Sequence, residues 1–129
     1  MAKQNSKPIP LKMRSSIKKV TVKMPISMKA ALPATVIGQG YNMRQKSQWV
    51  AEAIRSLLSG KEWEGALVSE MVSKVDSQDV FSLPSDVVAL IASEIRRVSE
   101  VNLSLNANQS TIIRAAINRR TLGFFKKVG

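Results

Sequence analysis

The chain has 129 residues, with 20 Lys and Arg against 9 Asp and Glu and a net charge of +11, and it contains neither cysteine nor histidine. That length suits one compact unit, or two small units sharing a core. A disulfide framework and a thiolate metal site are excluded, and the commonest general base and metal ligand are missing.

No apolar run approaches the ~20 residues a membrane helix needs, and no apolar stretch follows the basic N-terminus as a signal peptide requires. With cysteine absent, a reducing cytoplasm is the expected location. Only six of the residues are aromatic, so the core is expected to be aliphatic. The charge is uneven: residues 1–60 hold eleven Lys/Arg and one acid, Glu52, whereas residues 61–129 hold nine and eight. Such a field favours a polyanion, either nucleic acid or an acidic membrane surface. A basic surface kept for solubility is the plainer reading.

Residues 1–17 carry Lys3, Lys7, Lys12 and Arg14, spaced by Pro8 and Pro10. With no apolar period and two prolines they read as a basic arm, suited to phosphate contact. Residues 18–24 alternate, with Val20, Val22 and Met24 on one face and Lys19, Thr21 and Lys23 on the other, as in a half-buried strand closed by Pro25. Ser27 is a candidate N-cap for a helix over 28–38, with Pro33 expected to kink it or move its start and Gly38 and Gly40 as stop signals. A second helix over 47–58 carries Trp49, Val50, Ala53, Ile54, Leu57 and Leu58 on one face, ending at Ser59-Gly60. Trp63, Leu67, Met71, Val72 and Val75 predict a connecting helix over 61–76.

The order then repeats. A strand is expected over 78–83. If Leu83-Pro84 matches Met24-Pro25, Phe81 and Leu83 face inward and Gln78, Val80 and Ser82 outward. Ser85 can cap a helix over 86–98. Asn102, Asn106 and Asn108 suit a loop over 99–108, and a last helix over 110–120 buries Ile112, Ile113, Ala116 and Ile117 before Gly123. Phe124-Phe125-Lys126-Lys127 reads as an apolar-basic tail. The division is thus an arm (1–17), a first copy (18–60), a connector (61–77), a second copy (78–123) and a tail (124–129). One strand from each copy can pair into a two-stranded ribbon, a shape that the DNA major groove admits.

These residues resemble the ribbon-helix-helix superfamily of DNA-binding proteins, the Arc/MetJ-like fold. Lys19-Val20-Thr21-Val22-Lys23-Met24-Pro25 is similar to the family's reading strand, and Gly40 with Lys46 to Arg55 to its turn and second helix. Phe81-Ser82-Leu83-Pro84 and Gln109 to Ile117 match by pattern. The second copy departs in two ways. Its proline-to-serine spacing is 26 residues (Pro84 to Ser110) rather than 22 (Pro25 to Ser47), and its strand lacks Lys and Arg. Most such proteins are dimers. Two copies in one chain resemble the tandem arrangement of TraY-type accessory proteins of plasmid conjugation. The resemblance implies a mainly helical pseudo-dimer with a two-stranded antiparallel ribbon. Its expected partners are double-stranded DNA, a relaxase or other conjugation protein, and further copies on adjacent sites. It equally implies a transcriptional repressor acting on its own operon.

On the outer face, Lys19 and Lys23 can donate to guanine O6 and N7, and Thr21 can hydrogen-bond or touch a thymine methyl. Gln78 can pair with adenine, while Val80 and Ser82 offer an apolar contact and a hydroxyl. Lys46-Ser47-Gln48 and Gln109-Ser110-Thr111, at helix starts, are candidates for holding phosphates; Ser47 and Ser110 are equally ordinary caps. Because Lys and Arg lie only on the first strand, an asymmetric site is expected, with tighter, more salt-sensitive contacts on the first-copy side.

No catalytic constellation is found, no metal or other cofactor is implied, and Gly38-Gln39-Gly40 lacks the spacing of a phosphate loop. Tyr41, Trp49 and Trp63 are expected to pack rather than act. Two other readings stand beside the DNA reader. One is an antitoxin or partition-type regulator that also binds a protein through the connector or tail. The other is a basic helical protein at a membrane surface, which the alternation at Val20, Val22 and Met24 opposes.

Overall fold

Two strands separated by more than fifty residues pair with each other to form the sheet. The computed structural model describes residues 17–61, 63–70, 74–101 and 107–128, apart from the side chains of residues 68, 69 and 124–128. The basic arm, with Lys3, Lys7, Lys12 and Arg14, lies outside the described residues, as do Met71, Val72, Asn102 and Asn106. Strand β1 (Ile17–Met24) pairs antiparallel with β2 (Ser77–Pro84) in a two-stranded sheet; the rest of the described chain is mainly helical. Among the described residues the helices are α1 (Ile26–Gly38), α2 (Lys46–Leu58), α3 (Leu67–Glu70), α4 (Ser85–Val101) and α5 (Gln109–Val128). Short 3-10 turns, Met43–Gln45 and Trp63–Ala66, precede α2 and α3.

A ribbon of two strands is marginal alone and needs a cover for one face. The alternation supplies that face. Val20, Val22 and Met24 on β1, with Phe81 and Leu83 on β2, are buried against an apolar cluster that includes Trp49, Val50, Ile54, Ile112, Ile113 and Ile117. The largest helix–helix contact is between α2 and α5; α2 also packs on β2 and α5 on β1, so each of these helices supports the strand of the other half.

Local signals explain most boundaries and correct several expectations. Helix α1 begins at Ile26 with Pro25 at the N-cap position and no cap from its own side chains. Ser27 does not cap it. Asp76, just ahead of β2, accepts from the Ile26 N–H at 2.9 Å, so the cap comes from fifty residues away. Pro33 lies inside α1 and leaves its start unmoved. Gly40 adopts φ +93°, a left-handed conformation that suits glycine after a helix. Asn42 and Gln45 form a capping box on the turn before α2.

Within the expected connecting helix over 61–76, residues 63–66 form a 3-10 turn and 67–70 α-helix, with Trp63 and Leu67 buried, whereas 74–76 lie outside any helix; residues 62 and 71–73 fall outside the described residues. The start of α5 is capped by Asn108, whose Oδ1 accepts from the Thr111 N–H at 3.0 Å while Thr111 Oγ1 accepts from the Asn108 N–H at 2.9 Å. The same helix continues through Gly123 to Val128 instead of stopping near Arg120, so the segment read as a tail is helical backbone. A single glycine costs a helix only about 1 kcal/mol, too little to end one that is well packed. No helix among the described residues is long and apolar enough to cross a membrane.

Candidate nucleic-acid interface

The antiparallel register pairs Lys19 with Ser82, Thr21 with Val80 and Lys23 with Gln78, continuing to Ile17 opposite Pro84. All six predicted readers are exposed, and they share the face of the ribbon turned away from the helices. Ile17, 51% exposed, extends this face by one row; the strand alternation carried back from Val20 is the signal that could have found it. The face holds two lysines and no acid. The acid within β2, Asp79, points the other way and accepts an ion pair from Lys46 at 2.9 Å.

The pattern of pairing relocates the expected asymmetry. Matching Pro25 to Pro84 makes Thr21 and Val80 equivalent, and these two residues face each other in mid-ribbon. One lysine therefore stands at each end of the outer face. The imbalance runs across the width of the ribbon, β1 against β2, and not from one end to the other.

The ribbon edges are closed by reciprocal contacts. Ser47 Oγ, at the start of α2, accepts from the Ser82 N–H at 2.9 Å, and Ser110 Oγ, at the start of α5, accepts from the Lys23 N–H at 3.1 Å. The two candidate clamps therefore lie directly beside the two strands. Within them the side chains differ. Lys46 is engaged by Asp79 and lies over the Phe81 ring, and the Gln48 amide donates to Glu52. Thr111 is 6% exposed and turned to Asn108, so its hydroxyl faces the helix start and not the surface. Gln109 is half-buried. The Lys46 N–H donates to Met43 O, so the turn before α2 already uses one of its donors.

Beneath the ribbon, Arg114 on α5 is the main tie. Its guanidinium donates to Lys23 O at 2.6 Å, to Glu70 Oε1 at 3.2 Å and to Glu70 O at 3.2 Å; Asn118 donates to the other Glu70 oxygen. The Arg114 and Glu70 side chains are 5% and 3% exposed. A second tie, Arg120, donates to Trp49 O, Tyr41 Oη and Glu52 and stacks over the Trp49 ring. Burial pushes the Glu52 carboxyl up, but hydrogen bonds from Tyr41, Gln48 and Arg120 outweigh it and hold the group below the usual carboxylate range. Sequence reasoning missed both ties, because a lone Arg on an apolar helix face gives no hint of its acceptors.

Trp49 and Trp63 are buried, and their indole N–H groups donate to Gln39 and Glu94. Tyr41 packs against the core cluster and donates to Glu52. Among the described residues no acidic cluster is placed to hold a metal ion. No family model matches the chain, and neither does any curated protein or solved structure.

Proposed function

We propose that this chain is a sequence-specific double-stranded DNA-binding protein of tandem ribbon-helix-helix type, which inserts its ribbon into the major groove. The observation that carries the reading is the exposed outer face on which Lys19, Thr21 and Lys23 stand beside Ser82, Val80 and Gln78. Two strands lie about 4.8 Å apart, and the groove is about 12 Å wide, so a ribbon enters it with its strands running along the groove. Lysines there donate to guanine O6 and N7, Gln78 accepts from adenine N6 and donates to its N7, and the residues of the central pair make apolar contact with thymine methyl groups. Phosphates flanking the ribbon are held at the starts of α2 and α5. Such contacts set register and leave sequence to the strands.

In biological terms the protein acts as a plasmid relaxosome accessory factor at a transfer origin, as an autoregulatory repressor, or as both. A regulator that also holds a protein partner is the second reading. Helix α1 supports it, since Ile26 and Ile37 are more than half exposed on a helix with a single charged residue, Lys29.

The test is repeated selection from mixed duplex DNA in moderate salt, with the wild type and with Lys19→Ala/Lys23→Ala. The wild type is expected to enrich one short motif, and the double variant to lose it while melting at the wild-type temperature. Tight binding that enriches nothing and disappears with salt would mean a generic basic surface.

A further inference from the structure

Resting on the ribbon reading, one further step follows from the register. Lys19 and Lys23 are both on β1, and the residues opposite them, Ser82 and Gln78, are neutral. A ribbon whose strands run along the groove holds β1 nearer one DNA strand and β2 nearer the other. We propose that this protein reads the two strands of its site by different chemistry: guanines on the strand beside β1, and adenine or thymine features on the strand beside β2.

The spacing follows from strand geometry. Four residues of β-strand span about 13 Å, close to four base-pair steps at ~3.4 Å. Two guanines on one strand, about four steps apart, are therefore the expected signature, with the flexible lysine stems allowing about one step either way. Between them lies the row of Thr21 and Val80, whose methyl groups favour thymine methyls. Beside the Lys23 guanine, whose own partner is cytosine, Gln78 reaches the complementary strand and favours adenine at an adjoining step. The pseudo-equivalent strands thus carry unequal codes, and the site is directional: turning the DNA end for end brings the lysines against the wrong strand. Neither lysine ammonium is engaged by another described side chain, and both side chains are exposed, so both are free to donate. Asp79 neutralises Lys46 behind the ribbon, which keeps the charge difference on the reading face to these two lysines.

The experiment uses the full chain and the duplex that it selects. Guanines are replaced one at a time by 7-deazaguanine, which lacks the N7 acceptor, first on one strand and then on the other. Binding is expected to fall about five- to a hundredfold at two positions on one strand and to change little on its complement. Lys19→Ala should abolish sensitivity at one of those positions only, and Lys23→Ala at the other only. Two sensitive guanines related by a palindrome, one on each strand, would overturn the unequal code and leave the ribbon reading intact. A selected duplex whose binding is indifferent to both lysine substitutions would overturn the ribbon reading and this inference with it. Thermal melts of both variants separate loss of contact from loss of fold.

Discussion

Arg114 illustrates how much one buried side chain holds. A buried ion pair is a poor source of net stability, but removing one partner strands the other in a dry site. Arg114→Ala removes one donor each from the Glu70 carboxylate, the Glu70 carbonyl and the Lys23 carbonyl, while Asn118 still donates to Glu70. The expected loss is about 3–5 kcal/mol, a large share of the ~5–15 kcal/mol typical of a domain, read as a fall in urea midpoint. Arg55→Ala breaks an exposed pair with Asp86 and should leave the midpoint nearly unchanged. The acids behave in the same individual way. Backbone hydrogen bonding and Arg97 hold Glu64 below its ordinary range, and the hydrogen bond from Arg55 does so for Asp86, as the three donors do for Glu52. A carboxyl whose folded pKa is depressed stabilises fully above its unfolded value and loses that contribution as pH falls through the folded one. Stability should therefore be flat from about pH 5 to 8 and decline in acid. Glu52→Gln should melt lower at neutral pH and show a shallower acid decline than the wild type.

At the scale of elements, the glycines give the clearest contrast. Gly123 lies within α5 with open space where a Cβ would stand, whereas Gly40 holds a φ of +93°. Gly123→Ala should stabilise by about 0.5–1 kcal/mol, and Gly40→Ala should destabilise by about 1–2 kcal/mol; both are read from denaturant melts. These two positions also show what the sequence could convey. Both strands, with their inner and outer faces, were legible because a period of two in Val20-Val22-Met24 and Phe81-Leu83 has few alternative readings. The cores of α2 and α5 were legible for the same reason at helical period. The ends were not. The stop expected at Gly123 gave way to continued helix, and the cap of α1 came from Asp76, which no local pattern could foretell. Apolar steps at Trp63 and Leu67 marked burial correctly, but period alone could not tell the 3-10 turn at 63–66 from α-helix. Of the candidate site, the outward placement of the six predicted readers was legible. The commitment of Lys46 to Asp79 and of Thr111 to Asn108 depends on contacts across the fold or across a turn, and was not.

The whole molecule combines a strong positive field with the lack of any side chain that ordinarily titrates near neutrality. With no histidine and no cysteine in the chain, no side chain has an ordinary pKa between about 5 and 8. On the proposed function, DNA affinity at fixed ionic strength should accordingly vary little across that range. Salt should act very differently: log affinity should fall linearly with log salt as counterions displaced from phosphates compete back. Filter binding over a grid of pH and salt checks both; a bell-shaped pH profile at constant salt would contradict the first.

One feature of the ribbon bears on how the cell can use it. Its two strands belong to a single chain, joined across 53 to 67 residues of sequence. A reader assembled from two subunits comes apart on dilution, and its occupancy of a site rises with the square of subunit number when copies are few. On the proposed function, the face that enters the groove is complete in each molecule. Occupancy rises with the first power of copy number, and the response at low abundance is graded. The cost is kinetic: strands so far apart in sequence meet late, so each new molecule must finish folding before it can read anything.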